Sequence, residues 1–549
     1  MSAPHNLVDG AVLSSGSATV LRPFFDRLDA GRPITLLALG SSITTNRGGC
    51  THMIGEGLEL ERRGCCGTTC HGEDGWLRTW FDAVNATWPH AGHRLYNAGT
   101  AASTPLLFTE CAEALYPPAV HLVVLDFVTA AADVGLLVSH LRSVFANVPI
   151  LFANFFRWEL LRRGGAAVAP GGASHGDVDL DPFAAQASLA ATAAANGLPV
   201  VSLLHGLQAG GWGREDGSSL AQDLALPEPP CETGAAEARC WCPLCLTPDG
   251  THPGALGFQF MGEALALLTH RAAERHRTVY GAGRAHGADR APPPPPPAGW
   301  HRAAACYSFD ARRANPQADS FREMLRSSTT ADGGQPLLCP EPKLGCPSGG
   351  GKLEVARAKV AIGTIPGGRF AGRSLDGTLI EPWRLLRRDG WQYVLESPRP
   401  LFYKMGNVND VRAAVKPGLV ARAAHAELLV NLTVEPATLA AAGAAARRAR
   451  GSGGGGAAYN YVGVDYLTSF ERMGRARLRC AEVPGGCTCT PRTLDAHTRE
   501  HASVRRVAYL KLGGAGLANC AVELTTLDRS SSGGFKWKLV RLSVGLALE

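Results

Sequence analysis

The clearest structural pattern in this sequence is the stretch Ile34-Thr-Leu-Leu-Ala-Leu39-Gly40-Ser41-Ser42-Ile43-Thr44. The apolar run from Ile34 to Leu39 has the length and composition of a buried strand. Gly40 then permits a tight turn, which places a serine hydroxyl at the carboxyl end of that strand. An ordinary strand exit rich in serine and threonine has the same residues, so this stretch alone leaves a functional and a purely structural interpretation open.

Four more apolar runs of strand length follow along the chain, with segments of helical length between them. The runs are His93 to Tyr96, Leu122 to Phe127, Pro149 to Asn154 and Leu198 to Leu204. Val134 to Ala146 and Pro182 to Ala195 are two of the helical segments. Buried strands that alternate with helices predict an α/β fold with a doubly wound parallel sheet. In such sheets ligands bind beyond the carboxyl ends of the strands, where Ser42 is expected.

A second group of polar residues precedes a long apolar helix near position 250. It reads Asp249-Gly-Thr-His252-Pro253, and the helix is expected from Phe258 to Leu268. An aspartate three residues before a histidine can accept a hydrogen bond from Nδ1 and thereby fix the imidazole tautomer. A solvated histidine in the loop before a helix has the same pattern, so the spacing alone does not distinguish the two.

Taken together and in this order, the two groups resemble the SGNH (GDSL-type) hydrolase family. Gly40-Ser41-Ser42-Ile43 stands where that family has its nucleophile motif, and Asp249 to His252 stands where it has its Asp-x-x-His dyad. Tyr96-Asn97-Ala98-Gly99, at the end of the second predicted strand, matches the family's Asn-x-Gly block. The resemblance implies a flavodoxin-like parallel sheet of five strands.

The same resemblance implies a chemistry. Ser42 is expected to attack an ester carbonyl, with His252 as general base and then general acid, and with Asp249 orienting the imidazole. The backbone N–H groups of Ser42 and Gly99 are expected to bind the oxyanion. Such a triad needs neither a metal ion nor an organic cofactor. The expected function is a carboxylic ester hydrolase or O-acyl transferase, whose partner is an ester-bearing small molecule or a glycan, with an acetyl ester as the expected group.

One block of the sequence departs from the family pattern. Where the family has Gly-x-Asn-Asp after its third strand, this chain reads Val128-Thr129-Ala130-Ala131-Ala132-Asp133. Ala130 replaces the asparagine whose side chain completes the oxyanion hole, and loss of one such donor lowers the rate by about 10²–10³-fold. Thr129 can donate from one position away, with a shorter reach. Two interpretations stay open: a weakened esterase that uses Thr129, and a degenerate hydrolase fold that serves as a glycan-binding or structural module.

The second half of the chain has a different pattern. Pro292 to Pro297 form a polyproline stretch, and beyond Cys306 short apolar runs alternate with Gly, Pro and Asp. The runs are Leu353 to Ile362, Gln392 to Leu395, Glu427 to Val434, Tyr459 to Tyr466, Val504 to Leu510 and Trp537 to Val544. They predict an antiparallel all-β, sandwich-like domain. The predicted organisation is an N-terminal extension (1–30), a hydrolase-like α/β domain (31–278), a Pro-rich linker (279–304) and a β-rich domain (305–549) with a disordered insertion near 437–458.

Part of this β-rich half resembles the C-terminal domain of a plant and algal group of SGNH-hydrolase-like proteins. The matching segments are Tyr466 to Gly474, Arg477 to Cys480, Gly486 to Cys489, Leu494-Asp495 and Phe535-Lys536. The resemblance implies no role for the domain. Its cysteines predict disulfide staples in a pairing that the sequence leaves open, and they are Cys480, Cys487, Cys489 and Cys520.

The chain contains 16 cysteines, most of them clustered in Gly-rich segments. Clustered cysteines of this kind predict disulfides and an oxidising compartment. Two N-glycosylation sequons, Asn85-Ala-Thr87 and Asn431-Leu-Thr433, fit the same compartment. No signal peptide is visible in Met1 to Gly10. The expected localisation is the secretory pathway or the extracellular space, with the cytosol as the alternative.

Two other motifs compete with these assignments. Gly172-Ala-Ser174-His-Gly176 matches a G-x-S-x-G nucleophile elbow, but no strand pattern precedes it, so a chance match is expected. Cys231, Cys240, Cys242 and Cys245 could bind zinc through four thiolates, although a disulfide-tied insertion suits their spacing better. This insertion, Gly206 to Pro248, directly precedes Asp249 and is expected to form a wall or lid of the site.

Composition excludes other classes of partner. The 549 residues carry a formal net charge of +6 and show no basic stripe with interleaved aromatic residues, so nucleic acid is not expected to bind. The most apolar stretch, Ala119 to Val138, contains His121, Asp126 and Asp133, so no membrane span is expected. The length and the uneven distribution of Gly and Pro indicate a folded protein of several domains with linkers and insertions.

Overall fold

The structure is a computed structural model, and the chain divides into two compact units. Unit 1 comprises Met1–Pro105 and Pro117–Pro293, and unit 2 comprises Leu106–Tyr116 and Pro294–Glu549. The residues that the structure describes are 5–44, 75–100, 103–110, 116–117, 119–127, 131–145, 148–155, 182–209, 246, 252–281, 301–308, 372–374, 379–380, 385–396, 416–432, 458–470, 472–482, 486–498, 503–513, 520–528 and 530–548.

Unit 1 is built on one mixed sheet of six strands. The strands are β1 (Val12–Ser14), β2 (Thr35–Gly40), β3 (Arg94–Asn97), β4 (Leu122–Asp126), β5 (Ile150–Asn154) and β6 (Val200–Ser202). The strands β2 to β6 are parallel to one another, and β1 pairs antiparallel with β6 at the edge. The prediction of a wholly parallel five-stranded sheet is therefore corrected to five parallel strands and one antiparallel edge strand. A three-residue strand is too short for alternating apolar and polar residues to reveal it.

Helices precede, separate and follow these strands. They are α1 (His5–Gly10), α2 (Ala18–Asp29), α3 (Gly75–Thr87), α4 (Pro105–Glu110), α5 (Ala131–Val144), α6 (Pro182–Ala195), α7 (Leu203–Ala209) and α8 (Ala255–Tyr280). All of α4 except Pro105 belongs to unit 2. The helix α6 has the predicted bounds, and α5 begins and ends slightly earlier than predicted. The helix α8 extends well beyond the apolar run from which it was predicted, because amphipathic turns continue it to Tyr280.

The strand order brings the Ser42 turn to the point where the direction of winding changes. The order is β1-β6-β5-β4-β2-β3, so the chain passes from β2 to β3 on one side and then crosses to β4 on the other. Among the parallel strands this is the order of flavodoxin-like sheets, in which a crevice opens at the switch point beyond the carboxyl strand ends. Ser42 follows β2 and Asp126 ends β4, so both residues lie at this switch point.

A cluster of buried apolar side chains, drawn largely from the helices and joined by residues of β2, β4, β5 and β6, forms the core of unit 1. Helix α8 packs against α3 and α2, and Trp76 and Trp80 of α3 and Phe258 and Phe260 of α8 are all fully buried. Each buried aromatic side chain stabilises the fold by roughly 1.5–3 kcal/mol. This packing fixes the position of α8 and therefore of the turn in front of it, which carries His252.

Unit 2 consists of antiparallel strands. They are β7 (His301–Ser308), β8 (Gly372–Ser374), β9 (Leu379–Ile380), β10 (Leu385–Asp389), β11 (Trp391–Glu396), β12 (Lys416–Ala421), β13 (Glu427–Leu432), β14 (Ala458–Thr468), β15 (Arg475–Cys480), β16 (Thr488–Cys489), β17 (Arg492–Asp495), β18 (Val504–Gly513), β19 (Cys520–Thr526) and β20 (Trp537–Leu548). One sheet has five strands in the order β10-β13-β19-β15-β17. The other has nine, in which β16-β18-β14-β20-β7-β8-β9 form the main path and β12 joins β11 to β20. The prediction of an antiparallel β region is confirmed.

The two sheets of unit 2 share one cluster of buried apolar side chains. Val430 and Val522 come from the five-stranded sheet, and Val462 and Leu542 come from the nine-stranded sheet. Side chains from two facing sheets pack in this way in a sandwich. The long strands alternate buried and more exposed positions, as in β13, which is why their apolar runs could be read from the sequence.

Two disulfides join the sheets of unit 2. Cys480 at the end of β15 bonds to Cys489 of β16, and Cys487 bonds to Cys520 at the start of β19. The strands β15 and β19 belong to the five-stranded sheet and β16 belongs to the nine-stranded sheet. Both bonds therefore hold the edge strand β16 and the residues beside it against the opposite sheet, and they resolve the pairing that the sequence left open.

The segment Leu106–Tyr116 lies between β3 and β4 in the sequence but belongs to unit 2. Arg541 of β20 donates from Nη1 to the backbone oxygen of Leu107, at 3.1 Å. Arg541 and Arg505 also pair with Asp465 of β14, and all three charged side chains are buried. The chain thus contributes a segment to unit 2 before it returns to the sheet of unit 1.

Several predicted features lie outside the described residues. They are the strand Leu353 to Ile362, the linker with Pro292 to Pro297, most of the insertion near 437–458, the motif Gly172 to Gly176 and the cysteines from Cys231 to Cys245. Of the helices described above, none combines the length and the apolar character that crossing a membrane requires.

Candidate active site

Ser42 and His252 lie within hydrogen-bonding distance although 210 positions separate them. The Oγ atom of Ser42 is 2.9 Å from Nε2 of His252. Ser42 follows the carboxyl end of β2, at the switch point of the sheet. His252 lies in the bend just before α8. Both side chains are partly exposed, so a ligand can approach them. The structure therefore brings together the two residues for which the sequence predicts nucleophile and base.

The turn that carries Ser42 is closed by Thr44. A Cβ atom on Gly40 would lie 2.0 Å from Oγ1 of Thr44 and 2.6 Å from the backbone oxygen of Asp126. Only glycine leaves room for the threonine hydroxyl to fold back over the strand end. The backbone oxygen of Gly40 also accepts hydrogen bonds from Thr100 N, at 2.8 Å, and from Ser103 Oγ, at 2.9 Å. The turn is thus anchored at both of its ends.

Asn97, at the end of β3, connects the Ser42 turn to the residue expected as an oxyanion donor. Its Nδ2 donates to the backbone oxygen of Thr44, at 2.7 Å. Its Oδ1 accepts from the backbone N–H of Gly99, at 3.0 Å. The predicted donor of Gly99 is therefore already engaged in a hydrogen bond within its own loop.

Asp126 is a fully buried carboxyl group at the end of β4. Its Oδ2 accepts a hydrogen bond from Oγ1 of Thr44, at 2.7 Å. Burial raises the pKa of the Asp126 carboxyl to about 7, and the hydrogen bonds from Thr44 oppose this rise. Asp126 pairs in register with Gly40 of β2, so it lies directly beside the start of the Ser42 turn.

The bend that carries His252 is held by contacts on its C-terminal side. The backbone N–H of Gly254 donates to the oxygen of Leu246, at 2.9 Å, and Leu246 is fully buried. A Cβ atom on Gly257 would lie 2.2 Å from that same oxygen. Glycine at position 257 therefore allows the segment at Leu246 to lie against the first turn of α8, next to His252.

Asp249, Thr129 and Ala130 lie outside the described residues, so their predicted roles stay predictions. Among the described side chains, one group of possible metal ligands lies close together, and it consists of Cys480, Cys487 and Cys520 of unit 2. These cysteines are joined in disulfides and belong to the sheet contacts described above.

Three residues that hold the turn were not predicted as part of the site, namely Thr44, Asp126 and Ser103. Asp126 ends an apolar run of strand length, and a charged residue at the end of a buried parallel strand is a signal of a site. Thr44 follows the predicted nucleophile by two positions. Its hydrogen bond to Asp126 spans 82 positions, so no local sequence pattern indicates it. Ser103 reaches the oxygen of Gly40 across 63 positions and is equally invisible in the sequence.

No protein-family model matches this chain, and neither does any curated protein. Among solved structures, the chain is similar to a two-domain esterase active on acetylated mannans that was co-crystallized with mannopentaose. The identity is 12%, the match covers 99% of this chain and 98% of that chain, and the TM-score is 0.47. Another crystal structure of a two-domain esterase active on acetylated mannans matches at 13% identity, with the same shares covered and a TM-score of 0.44. A possible lipase from Chitinophaga pinensis matches at 15% identity over 43% of this chain and 98% of that chain, with a TM-score of 0.25.

Proposed function

We propose that this chain is a carboxylic ester hydrolase or O-acyl transferase that works through Ser42. The observation that carries the proposal is the distance of 2.9 Å between Ser42 Oγ and His252 Nε2. A serine hydroxyl is a weak nucleophile unless an adjacent base takes its proton. Here the hydroxyl and the imidazole meet at a switch point, where ligands of open α/β sheets bind.

In the proposed reaction, Nε2 of His252 takes the hydroxyl proton as Ser42 Oγ attacks the ester carbonyl carbon. The protonated imidazole then gives that proton to the leaving alcohol oxygen, which leaves an acyl-serine. Water, or the hydroxyl of an acceptor, attacks the acyl group by the same route in reverse, and Ser42 regains its proton. Asp249 would hold Nδ1 of His252 and stabilise the imidazolium, as the resemblance to SGNH hydrolases implies.

The oxyanion of the tetrahedral intermediate needs hydrogen-bond donors. The backbone N–H groups of Ser42 and Gly99 are the donors that we propose, with Thr129 as a third. The N–H of Gly99 donates to Asn97 Oδ1, so it binds an oxyanion by sharing this bond or by releasing it. A Gly99 N–H that stays bonded to Asn97 is a weaker oxyanion donor, and Ala130 supplies no side-chain donor. Both features predict a slow enzyme.

The proposed substrate class is an acetyl ester on a glycan or on a small alcohol. The serine and histidine side chains are both partly exposed, and we propose that a bulky alcohol stays in the solvent while its acyl group meets Ser42. Two sequons and clustered cysteines suggest the secretory pathway, where glycans are abundant acceptors. Hydrolysis rates for a series of nitrophenyl esters of increasing acyl length measure which acyl group the site accepts.

Hydrolysis of nitrophenyl acetate and release of acetate from an acetylated polysaccharide test the proposal. Ser42→Ala and His252→Ala are each expected to lower kcat/KM by about 10³-fold or more. Ser41→Ala, which changes the neighbouring serine in the same turn, is the matched control and is expected to stay within a few-fold of the wild type. A Ser42→Ala protein as active as the wild type would overturn the proposal.

A second function is favoured by the loss of the asparagine at Ala130 and by the engaged N–H of Gly99. In this alternative, the hydrolase fold binds a glycan without cleaving it, or serves a structural role. A folded protein that neither hydrolyses esters nor reacts with a fluorophosphonate, but binds glycans in calorimetry, would support it. Labelling that disappears in Ser42→Ala would support the esterase.

A further inference from the structure

A fully buried carboxyl group lies beside the proposed nucleophile, and the reaction described above does not use it. Asp126 is 0% exposed, and its Oδ2 accepts a hydrogen bond from Thr44 Oγ1 at 2.7 Å. Its Oδ1 has no hydrogen-bond partner among the described residues. Burying a carboxyl group is unfavourable unless the group is paired, so its position beside the Ser42 turn calls for a reason.

Asp126 contacts both the first and the last residue of the Ser42 turn. Gly40, at the start of the turn, is the register partner of Asp126 in the parallel pair of β2 and β4. Thr44, at the end of the turn, is held by the carboxyl group itself. Ser42 lies midway between these two points, so a shift of Thr44 away from Asp126 moves the backbone that carries the nucleophile.

Within the part of the chain that the structure describes, no opposite charge accounts for the buried carboxyl group. The strands β2 and β5 on either side of β4 contain no titratable side chain, and neither does the segment from Ser41 to Thr44. Thr44 supplies the hydrogen bonds that favour the ionised form. The carboxyl group therefore has one described function in this structure, which is to fix the hydroxyl of Thr44.

We infer that Asp126 is a positioning residue of the proposed hydrolase, and that it acts through the hydroxyl of Thr44 to hold Ser42 at its distance from His252. This inference rests on the proposed function, because it assigns a task within the same site. Asp126 itself does not touch the reacting atoms. Misplacing a reacting group by about 1 Å can lower a rate by about 10²-fold, so a residue of this kind has a measurable effect.

The experiment compares four variants by kcat and KM on nitrophenyl acetate and by the rate of fluorophosphonate labelling. Thr44→Val keeps the shape of the side chain and removes the donor, and Asp126→Ala removes the acceptor. We expect each to lower kcat and the labelling rate about 10- to 100-fold while KM changes less than about twofold. The conservative variants Thr44→Ser and Asp126→Asn keep a donor and an acceptor, and they are expected to restore kcat to within a few-fold of the wild type.

A double variant tests whether Thr44 and Asp126 act together. If Thr44 and Asp126 act as one unit, Thr44→Val combined with Asp126→Ala is no slower than the slower single variant, because the second change has nothing left to remove. Additive losses, unchanged kcat in both single variants, or failure of both conservative variants to restore the rate would each overturn the inference. If Asp126→Ala does not fold, Thr44→Val, Thr44→Ser and Asp126→Asn decide the matter.

Ser42→Ala is measured in parallel to separate this inference from the proposed function. An inactive Ser42→Ala with a fully active Thr44→Val contradicts the role of Asp126 and leaves the esterase intact. A Ser42→Ala protein as active as the wild type contradicts the esterase, and the positioning role is then overturned with it.

Discussion

Thr44 folds its hydroxyl back over Gly40, so that Oγ1 stands 2.0 Å from the position that a Cβ atom on residue 40 would take. This contact explains why the turn begins with glycine although the backbone there needs no unusual torsion angle. The hydroxyl passes over the strand end to reach Asp126, at 2.7 Å. The Ser42 turn is therefore shaped by a long-range contact as well as by its own local sequence.

Gly40→Ala is expected to destabilise the fold by about 1–3 kcal/mol and to lower esterase activity, because the new methyl group would displace Thr44 and press on the backbone of Asp126. Chemical unfolding monitored by fluorescence measures the first effect. Gly135→Ala is the matched control, since Gly135 lies in α5 with nothing within 4 Å of its added Cβ. It is expected to stabilise the protein by up to about 1 kcal/mol. Equal stability of Gly40→Ala and the wild type would contradict this account of the turn.

Ala130→Asn is expected to raise the rate of acetyl ester hydrolysis, because the asparagine side chain would supply the oxyanion donor that the sequence lacks. One such donor is worth about 10²–10³-fold in rate, so a gain of at least about tenfold in kcat is expected. Steady-state kinetics on nitrophenyl acetate measure it, with Ala130→Leu as a control of similar size that adds no donor. A folded Ala130→Asn protein with no gain would count against the proposed oxyanion site.

Stability is expected to depend on the protonation of His121. Its Nδ1 accepts a hydrogen bond from the backbone N–H of Thr35 at 2.9 Å, which requires the neutral imidazole. Burial, followed by the charges of Arg27 and Arg32, lowers the pKa of His121 from 6.5 to about 4. The unfolded chain thus binds this proton more readily, so the contribution of His121 is complete above pH 6.5 and is lost as pH falls from 6.5 toward 4.

Unfolding free energies of the wild type and of His121→Asn, measured between pH 4 and pH 8, test this dependence. The asparagine Oδ1 can accept from Thr35 without titrating, so the difference between the two proteins should shrink or change sign as pH falls. Asp126, whose raised pKa makes stability decrease as pH rises toward 7, is present in both proteins and cancels in the difference. A difference that does not vary with pH would contradict the role of His121.

The two disulfides of unit 2 are expected to contribute unequally to stability. Cys487–Cys520 spans 33 positions and Cys480–Cys489 spans 9, and a longer closed loop restrains the unfolded chain more. Replacing the first pair by alanines should lower the free energy of unfolding by about 4 kcal/mol, and the second pair by about 3 kcal/mol. Alkylation of all four cysteines by iodoacetamide without prior reduction would contradict the bonds themselves.

Much of the α/β unit could be predicted because its strands are buried on both faces. The run Leu122 to Asp126 is buried throughout, and its first four residues appear in the sequence as an unbroken apolar segment. Helix α6 could be bounded because Pro182 opens it and Gly197, with φ of 63°, follows its end. Val12–Ser14 could not be found, because its pairing with β6 depends on residues near position 200 and not on its own pattern.

Part of the candidate site could likewise be predicted from the sequence, and part of it could not. That Ser42 and His252 lie close together could be predicted, because both belong to short motifs in a fixed order along the chain. The bond between Thr44 and Asp126 could not be predicted, since the register of β2 and β4 creates it. The engagement of Gly99 by Asn97 shows a further limit, because the motif indicates a free N–H donor where the folded loop already uses it. The pairing of four cysteines likewise depends on which sheets face each other, and sequence alone allows three pairings.

Fluorophosphonate labelling followed by peptide mass spectrometry tests most directly whether Ser42 is a nucleophile activated by His252. We expect one covalent adduct on the wild-type protein, located on Ser42, with no labelling of Ser42→Ala and strongly slowed labelling of His252→Ala. Ser41→Ala should label as the wild type does. An adduct on another residue, or equal labelling of the wild type and Ser42→Ala, would contradict the nucleophilic role of Ser42.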